Sequence, residues 1–167
     1  MDEAELKASH EYVYDGARIV NPENLTLGEE VEIDDFVFLN CGRRTELGDR
    51  SCLHAGTRVV GGGELVVGSD VAVTYNCVLV TRYSKATSHM STRVPSEERD
   101  DVMAPIAVGD EAFVGSNAVV MPGVTIGEGA VVTALSYVDE DVPPWTIRYP
   151  NGELRERDEF EPYSAGR

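Results

Sequence analysis

Aliphatic residues recur six positions apart at Val108, Val114, Val120, Ile126 and Val132. Six is not the helical period of 3.6, and it is three times the strand period of two. A helix would scatter these side chains around its circumference. A single strand through "IAVGDEAFVGSNAVVMPGVTIGEGAVV" would be broken by Gly109, Gly115, Pro122, Gly123, Gly127 and Gly129. The chain must instead bend every six residues. The same spacing governs Leu27, Ile33 and Leu39, then Leu47, Leu53 and Val59, then Val67, Val73 and Leu79. Each of these groups starts twenty residues after the last, so two residues beyond three hexads enter per round, at 44–46 and within 61–64.

This pattern predicts an all-β, three-sided parallel β-helix with rungs about 4.8 Å apart. The aliphatic residues face inward in columns. Small residues at Ala112, Ala118, Ala130 and Ser136 suit the tight interior beside each corner. Glycine follows the first aliphatic of each round, at Gly28, Gly48, Gly68, Gly109 and Gly127, where its tolerance of turn dihedrals fits a recurring corner. About five rungs are expected. Residues 1–26 form an N-terminal cap, 27–142 the β-helix with a protruding loop at 81–105, and 143–167 a charged C-terminal tail. The open ends of such a coil need covers.

The run "VGDEAFVGSNAVVMPGVTIGEGAVVTALSYVDEDVPPW" resembles the C-terminal coils of the hexapeptide-repeat acyltransferases, including the maltose, galactoside and capsule-type sugar O-acetyltransferases. The likeness spans residues 27–145 and is strongest after Ile106. It implies a left-handed coil and an acetyl-CoA-dependent acyltransferase acting on a hydroxyl, or an amine, of a sugar-derived acceptor. It further implies a homotrimer with active sites between subunits, direct transfer and no required metal.

The repeat stops between Leu79 and Ile106 for "VTRYSKATSHMSTRVPSEERDDVMAP", which is too long for a corner and too polar for the core. Long loops without secondary structure are often functional. By resemblance to the maltose-type enzymes, His89 takes the place of a catalytic histidine in this loop. His54, in "SCLHAGTRVVGGG", is the second catalytic candidate and falls in the region of the acceptor pocket. Glu97 or Glu98 would bind on the acceptor side and orient the imidazole. A neutral histidine can draw the proton from an attacking hydroxyl and return it to the leaving thiolate, which suits general-base catalysis of acyl transfer. Ser116 and Ala134 match positions that contact the pantetheine arm. Arg148, Arg155 and Arg157 are candidates to meet the nucleotide phosphates.

The formal charge of −16 lacks the basic footprint that a nucleic-acid partner needs. Only Lys7 and Lys85 are lysines against twelve arginines, a balance typical of halophilic proteins, whose self-repulsion concentrated salt screens. Cys41, Cys52 and Cys77 are an odd set without CxxC spacing and fit a reducing cytoplasm. No apolar run is long enough for a membrane span and no leader pattern opens the chain, so a cytoplasmic protein without membrane insertion is expected. Two rival readings are a zinc-bearing β-helical carbonic anhydrase and a non-enzymatic trimeric scaffold. The first needs three histidines around the metal.

Overall fold

A computed structural model describes residues 2–89, 91 and 93–157. The coil has three faces. The first is a six-stranded parallel sheet of Arg18–Val20, Phe38–Asn40, Arg58–Val60, Val78–Val80, Val119–Val120 and Tyr137–Val138. The second holds Leu25–Leu27, Arg44–Leu47, Glu64–Val67, Ile106–Val108 and Thr125–Ile126. The third runs Glu32–Ile33, Cys52–Leu53, Ala72–Val73, Phe113–Val114, Val131–Val132 and Thr146–Arg148, with Leu154–Glu156 added antiparallel. The hexad spacing is therefore one face per six residues. Each strand pairs with the chain one full turn away, which satisfies its backbone groups without a helix.

Register stacks the aliphatic residues as the period requires. Ile19, Leu39, Val59, Leu79, Val120 and Val138 form one fully buried column, and Ile33, Leu53, Val73, Val114 and Val132 form another. Each such side chain contributes roughly 1.5–3 kcal/mol by leaving water. Ala112, Ala118, Ala130 and Ser136 are buried beside the corners, as expected.

The recurring glycines are required for a reason other than the expected one. Left-handed backbone at the corner between the second and third faces falls two residues later, at Glu30, Arg50, Asp70, Glu111 and Gly129. The glycines themselves mark close approach between rungs. A Cβ on Gly48 would lie 2.5 Å from the backbone of Gly68, and one on Gly127 would lie 2.4 Å from Pro144 nitrogen.

The coil also reaches past 27–142 in both directions. Arg18–Val20 starts the first face and Thr146–Arg148 extends the third, so the first face counts six rungs. Ahead of these, the helix Glu3–Ser9 covers one end. Its capping box joins Asp2 and Glu5, and Lys7 Nζ donates to the carbonyls of Asp15 and Ala17. At the other end Arg148 lies inside the coil, only 7% exposed, and donates to the Tyr137 carbonyl at 3.2 Å. Arg148 is thus unavailable to a nucleotide phosphate. The tail beyond Arg157 lies outside the described residues.

Candidate active site

The corner between the third and first faces gathers three of the residues singled out above, His54, Ser116 and Ala134. After the inward column of Ile33, Leu53, Val73, Val114 and Val132, the next position on each rung holds Asp34, His54, Thr74, Gly115 and Thr133. The one after holds Asp35, Ala55, Tyr75, Ser116 and Ala134. A period set by apolar residues thereby aligns polar ones along an edge.

His54 is half-buried there and engaged on every side. Its Nδ1 lies 3.2 Å from Asp34 Oδ2, which also accepts the Ala55 N–H at 3.0 Å. Its Nε2 lies 3.4 Å from Cys52 Sγ. Its ring stacks on Tyr75, with centroids 5.1 Å apart and 17° between planes. An ionised carboxylate only accepts, so Nδ1 carries the ring proton and Nε2 presents its lone pair. Burial, followed by the charges of Glu32 and Asp34, pushes the Cys52 thiol up to about 11. The thiol therefore keeps its proton and donates it to Nε2. This leaves the imidazole held at Nδ1 by Asp34, with Nε2 turned toward the third face.

The ladder continues along the edge. Thr74 Oγ1 donates to the Val114 carbonyl at 2.7 Å and lies 3.2 Å from Ser116 Oγ. Ser116 and Ala134 sit on adjacent rungs, linked by the Leu135 N–H donating to the Ser116 carbonyl at 3.0 Å. His54, Ser116 and Ala134 thus share one edge. The turning position beside them is left-handed on every rung. Gly56, Asn76 and Asn117 tolerate this, whereas Phe36 and Leu135 are bulky residues at φ 66° and 65°. Those two are also 77% and 71% exposed, which marks the edge as a place where strain and exposure are tolerated together.

His89 lies elsewhere. It is exposed on the excursion that leaves the coil after the first face, one corner further along the chain. The base of that excursion is the antiparallel pair Arg82–Ser84 and Asp101–Met103. There Ser84 Oγ donates to Asp101 Oδ1 at 2.6 Å and Arg82 Nε to Asp101 Oδ2 at 2.9 Å, holding the carboxyl below its usual range. Lys85 pairs with Asp100 at 3.1 Å. Glu97 and Glu98 are exposed on the short turn Ser96–Glu98. The ring nitrogens of His54 meet Asp34 and Cys52 rather than either glutamate. Among the described residues, no group of three or more His, Cys, Asp or Glu side chains is arranged to hold a metal ion. None of their helices is long and apolar enough to cross a membrane.

Sequence reasoning missed Asp34, Cys52 and Tyr75. The signal was present for Asp34, which precedes His54 by one twenty-residue turn. At the far end of the coil, Arg155 pairs with Glu153 and Arg157 stands 5.7 Å over the Trp145 ring.

Comparison with known proteins finds relatives of the coil. Residues 105–140 match the family model described as the hexapeptide repeat of succinyl-transferase. Galactoside O-acetyltransferase of Escherichia coli (strain K12) is 27% identical over 119 residues, covering 71% of this chain and 56% of that enzyme. The dTDP-4-amino-4,6-dideoxy-D-glucose acyltransferase of Escherichia coli is 27% identical over 139 residues, covering 81% of this chain and 72% of that one. The chain is similar in sequence to hexapeptide-repeat acyltransferases, and its coil carries their repeat at residues 105–140. AntD, an N-acyltransferase from Bacillus cereus solved with dTDP and 3-hydroxybutyryl-CoA, shares the fold with a TM-score of 0.83 at 23% identity, covering 95% of this chain and 89% of AntD. The hexapeptide-repeat acetyltransferase VCA0836 from Vibrio cholerae, solved with acetyl coenzyme A, follows at a TM-score of 0.63 and 23% identity, over 95% of this chain and 80% of that one. The chain spans little more than half the length of the galactoside enzyme.

Proposed function

We propose that this chain is an acetyl-CoA-dependent acyltransferase that acylates a hydroxyl or amino group of a sugar or nucleotide-linked sugar, with His54 as general base. The observation that carries this reading is the shared edge: an imidazole oriented by Asp34 two rungs from Ser116, with Ala134 on the next rung. The pantetheine arm runs along Ser116 and Ala134, where small side chains leave backbone amides accessible. Nε2 takes the acceptor's proton as its nucleophile attacks the thioester carbonyl. The C–S bond then breaks and the imidazolium protonates the departing thiolate, with no covalent enzyme intermediate. General-base assistance of this kind is worth about 10²–10⁴ in rate. Relatives named for galactoside and for dTDP-4-amino-4,6-dideoxy-D-glucose support a sugar acceptor.

The working unit is a homotrimer. The outward side chains of the first face include Val60, Val78, Val80, Val119 and Met121, whereas the second face turns Glu46 and Glu64 outward. An apolar outer face on one side of a prism favours burial against another copy. The acyl-CoA supply places the reaction in the cytoplasm, and the acidic, lysine-poor composition suits concentrated salt. The test is release of free CoA thiol from acetyl-CoA in the presence of matched sugars and nucleotide sugars. Turnover that depends on one acceptor class is expected, and no acceptor-dependent release across the panel would overturn the reading.

A further inference from the structure

The Cys52 thiol occupies the basic nitrogen of His54. Its S–H points at Nε2 from 3.4 Å, along the line that an acceptor's N–H or O–H must take to be deprotonated. The thiol is therefore a stand-in for the nucleophile, and whatever surrounds it surrounds the reacting atom. Cys52 lies on the outward column of the third face, which runs Glu32, Cys52, Ala72, Phe113, Val131, Ile147 and Arg155. Glu32 is its direct neighbour in register. Glu32 has no ion-pair or side-chain hydrogen-bond partner among the described residues. Asp34 lies on the other side, against Nδ1. The column carries no cation before Arg155 at its far end, Arg50 is engaged by Asp70 at 2.7 Å, and Arg58 stands beyond the corner on the first face.

We infer that Glu32 and Cys52 line the acceptor subsite and that the acceptor's nucleophile is a primary amine, so that the chain makes an amide rather than an ester. This rests on His54 being the base. An alkyl amine reaches the protein as an ammonium ion. Glu32 beside the approach line attracts that cation, and Asp34 behind the ring adds to the negative field, whereas they offer a neutral hydroxyl no such advantage. One proton of the ammonium passes to solvent as it is seated. Nε2 takes the second as the C–N bond forms, and returns it to the thiolate as the C–S bond breaks. The products are the N-acyl sugar and CoA thiol, with one proton released overall. Glu32 acts on specificity and Asp34 on the ring.

The experiment pairs amino sugars with hydroxy sugars that differ at one position, using acetyl-CoA, the wild-type protein, E32Q and H54A. The amino member of the productive pair is expected to have the higher kcat/KM. E32Q lowers kcat/KM for the amine about tenfold through KM, about 1.4 kcal/mol of lost attraction, and costs the hydroxy analogue less. A small methanethiosulfonate reagent modifies Cys52, the one cysteine that is not buried, and stops transfer while acetyl-CoA still binds. A C52A protein, which lacks that thiol, resists the reagent. Preference for the hydroxy sugar, or equal losses for both acceptors in E32Q, overturns the inference while acyl transfer itself stands. Full activity in H54A overturns the assignment of the base instead. If E32Q folds poorly, the wild-type comparison of the sugar pair decides alone.

Discussion

Asp34 and His54 are joined side chain to side chain across one turn of the coil, Oδ2 to Nδ1 at 3.2 Å. Parallel stacking makes this contact. Residues twenty apart occupy equivalent positions on adjacent rungs, so a carboxylate on one rung is delivered to an imidazole on the next. The pair fixes which ring nitrogen is basic, a detail on which general-base catalysis depends.

Exchanging each histidine separates the two candidates for the base. His54→Ala is expected to reduce transfer about 10²–10⁴-fold with the assembly intact. His89→Ala is expected to cost less, because His89 stands exposed on the excursion. Steady-state thiol release reads both, and the reverse ranking moves the base to His89.

Ala134 is exposed on the edge beside Ser116, so a large side chain there obstructs a ligand without disturbing the core. Ala134→Trp is expected to raise KM for acetyl-CoA about tenfold or more, with the melting temperature unchanged. An unaltered KM would place the pantetheine arm elsewhere.

The base of the excursion responds to pH through Asp101. Hydrogen bonds from Ser84 and then Arg82 hold its carboxyl below the ordinary range. The stabilisation is therefore fully present above the usual carboxylate pKa of about 3.9 and is lost as pH falls below it, through the lowered value. Hydrogen exchange in residues 85–100 is expected to quicken over that acid window. Asp101→Asn should reproduce the change at neutral pH.

Salt and assembly are tested together. With a net charge of −16, the melting temperature should rise between 0.1 M and 1 M KCl as the screening length shortens from about 10 Å to 3 Å. Light scattering in the same buffers should report three chains. A monomer at high salt refutes the trimer.

The hexads made the coil legible because burial is a local property of spacing. A side chain that recurs at sixes and is aliphatic on every round has one place to go in a three-sided prism, and Leu39, Leu79 and Ile126 went there. Ser116 and Ala134 were singled out by resemblance alone, and the register of neighbouring rungs explains why they meet on one edge. The excursion was legible as an interruption, but not the knot of Arg82, Ser84 and Asp101 that fastens it, because hairpin pairing within a polar stretch leaves no apolar signature.

Spacing alone thus determined the architecture, the inward columns and the small residues buried beside the corners. Only the tertiary structure decided that His54 meets Asp34 on one side and Cys52 on the other, that Arg148 turns inward, and that the recurring glycines serve close packing between rungs. Hydrophobic burial is non-directional and follows from position along the chain. Hydrogen-bond and charge geometry depends on which way each side chain turns, and that is set by neighbours a full turn away.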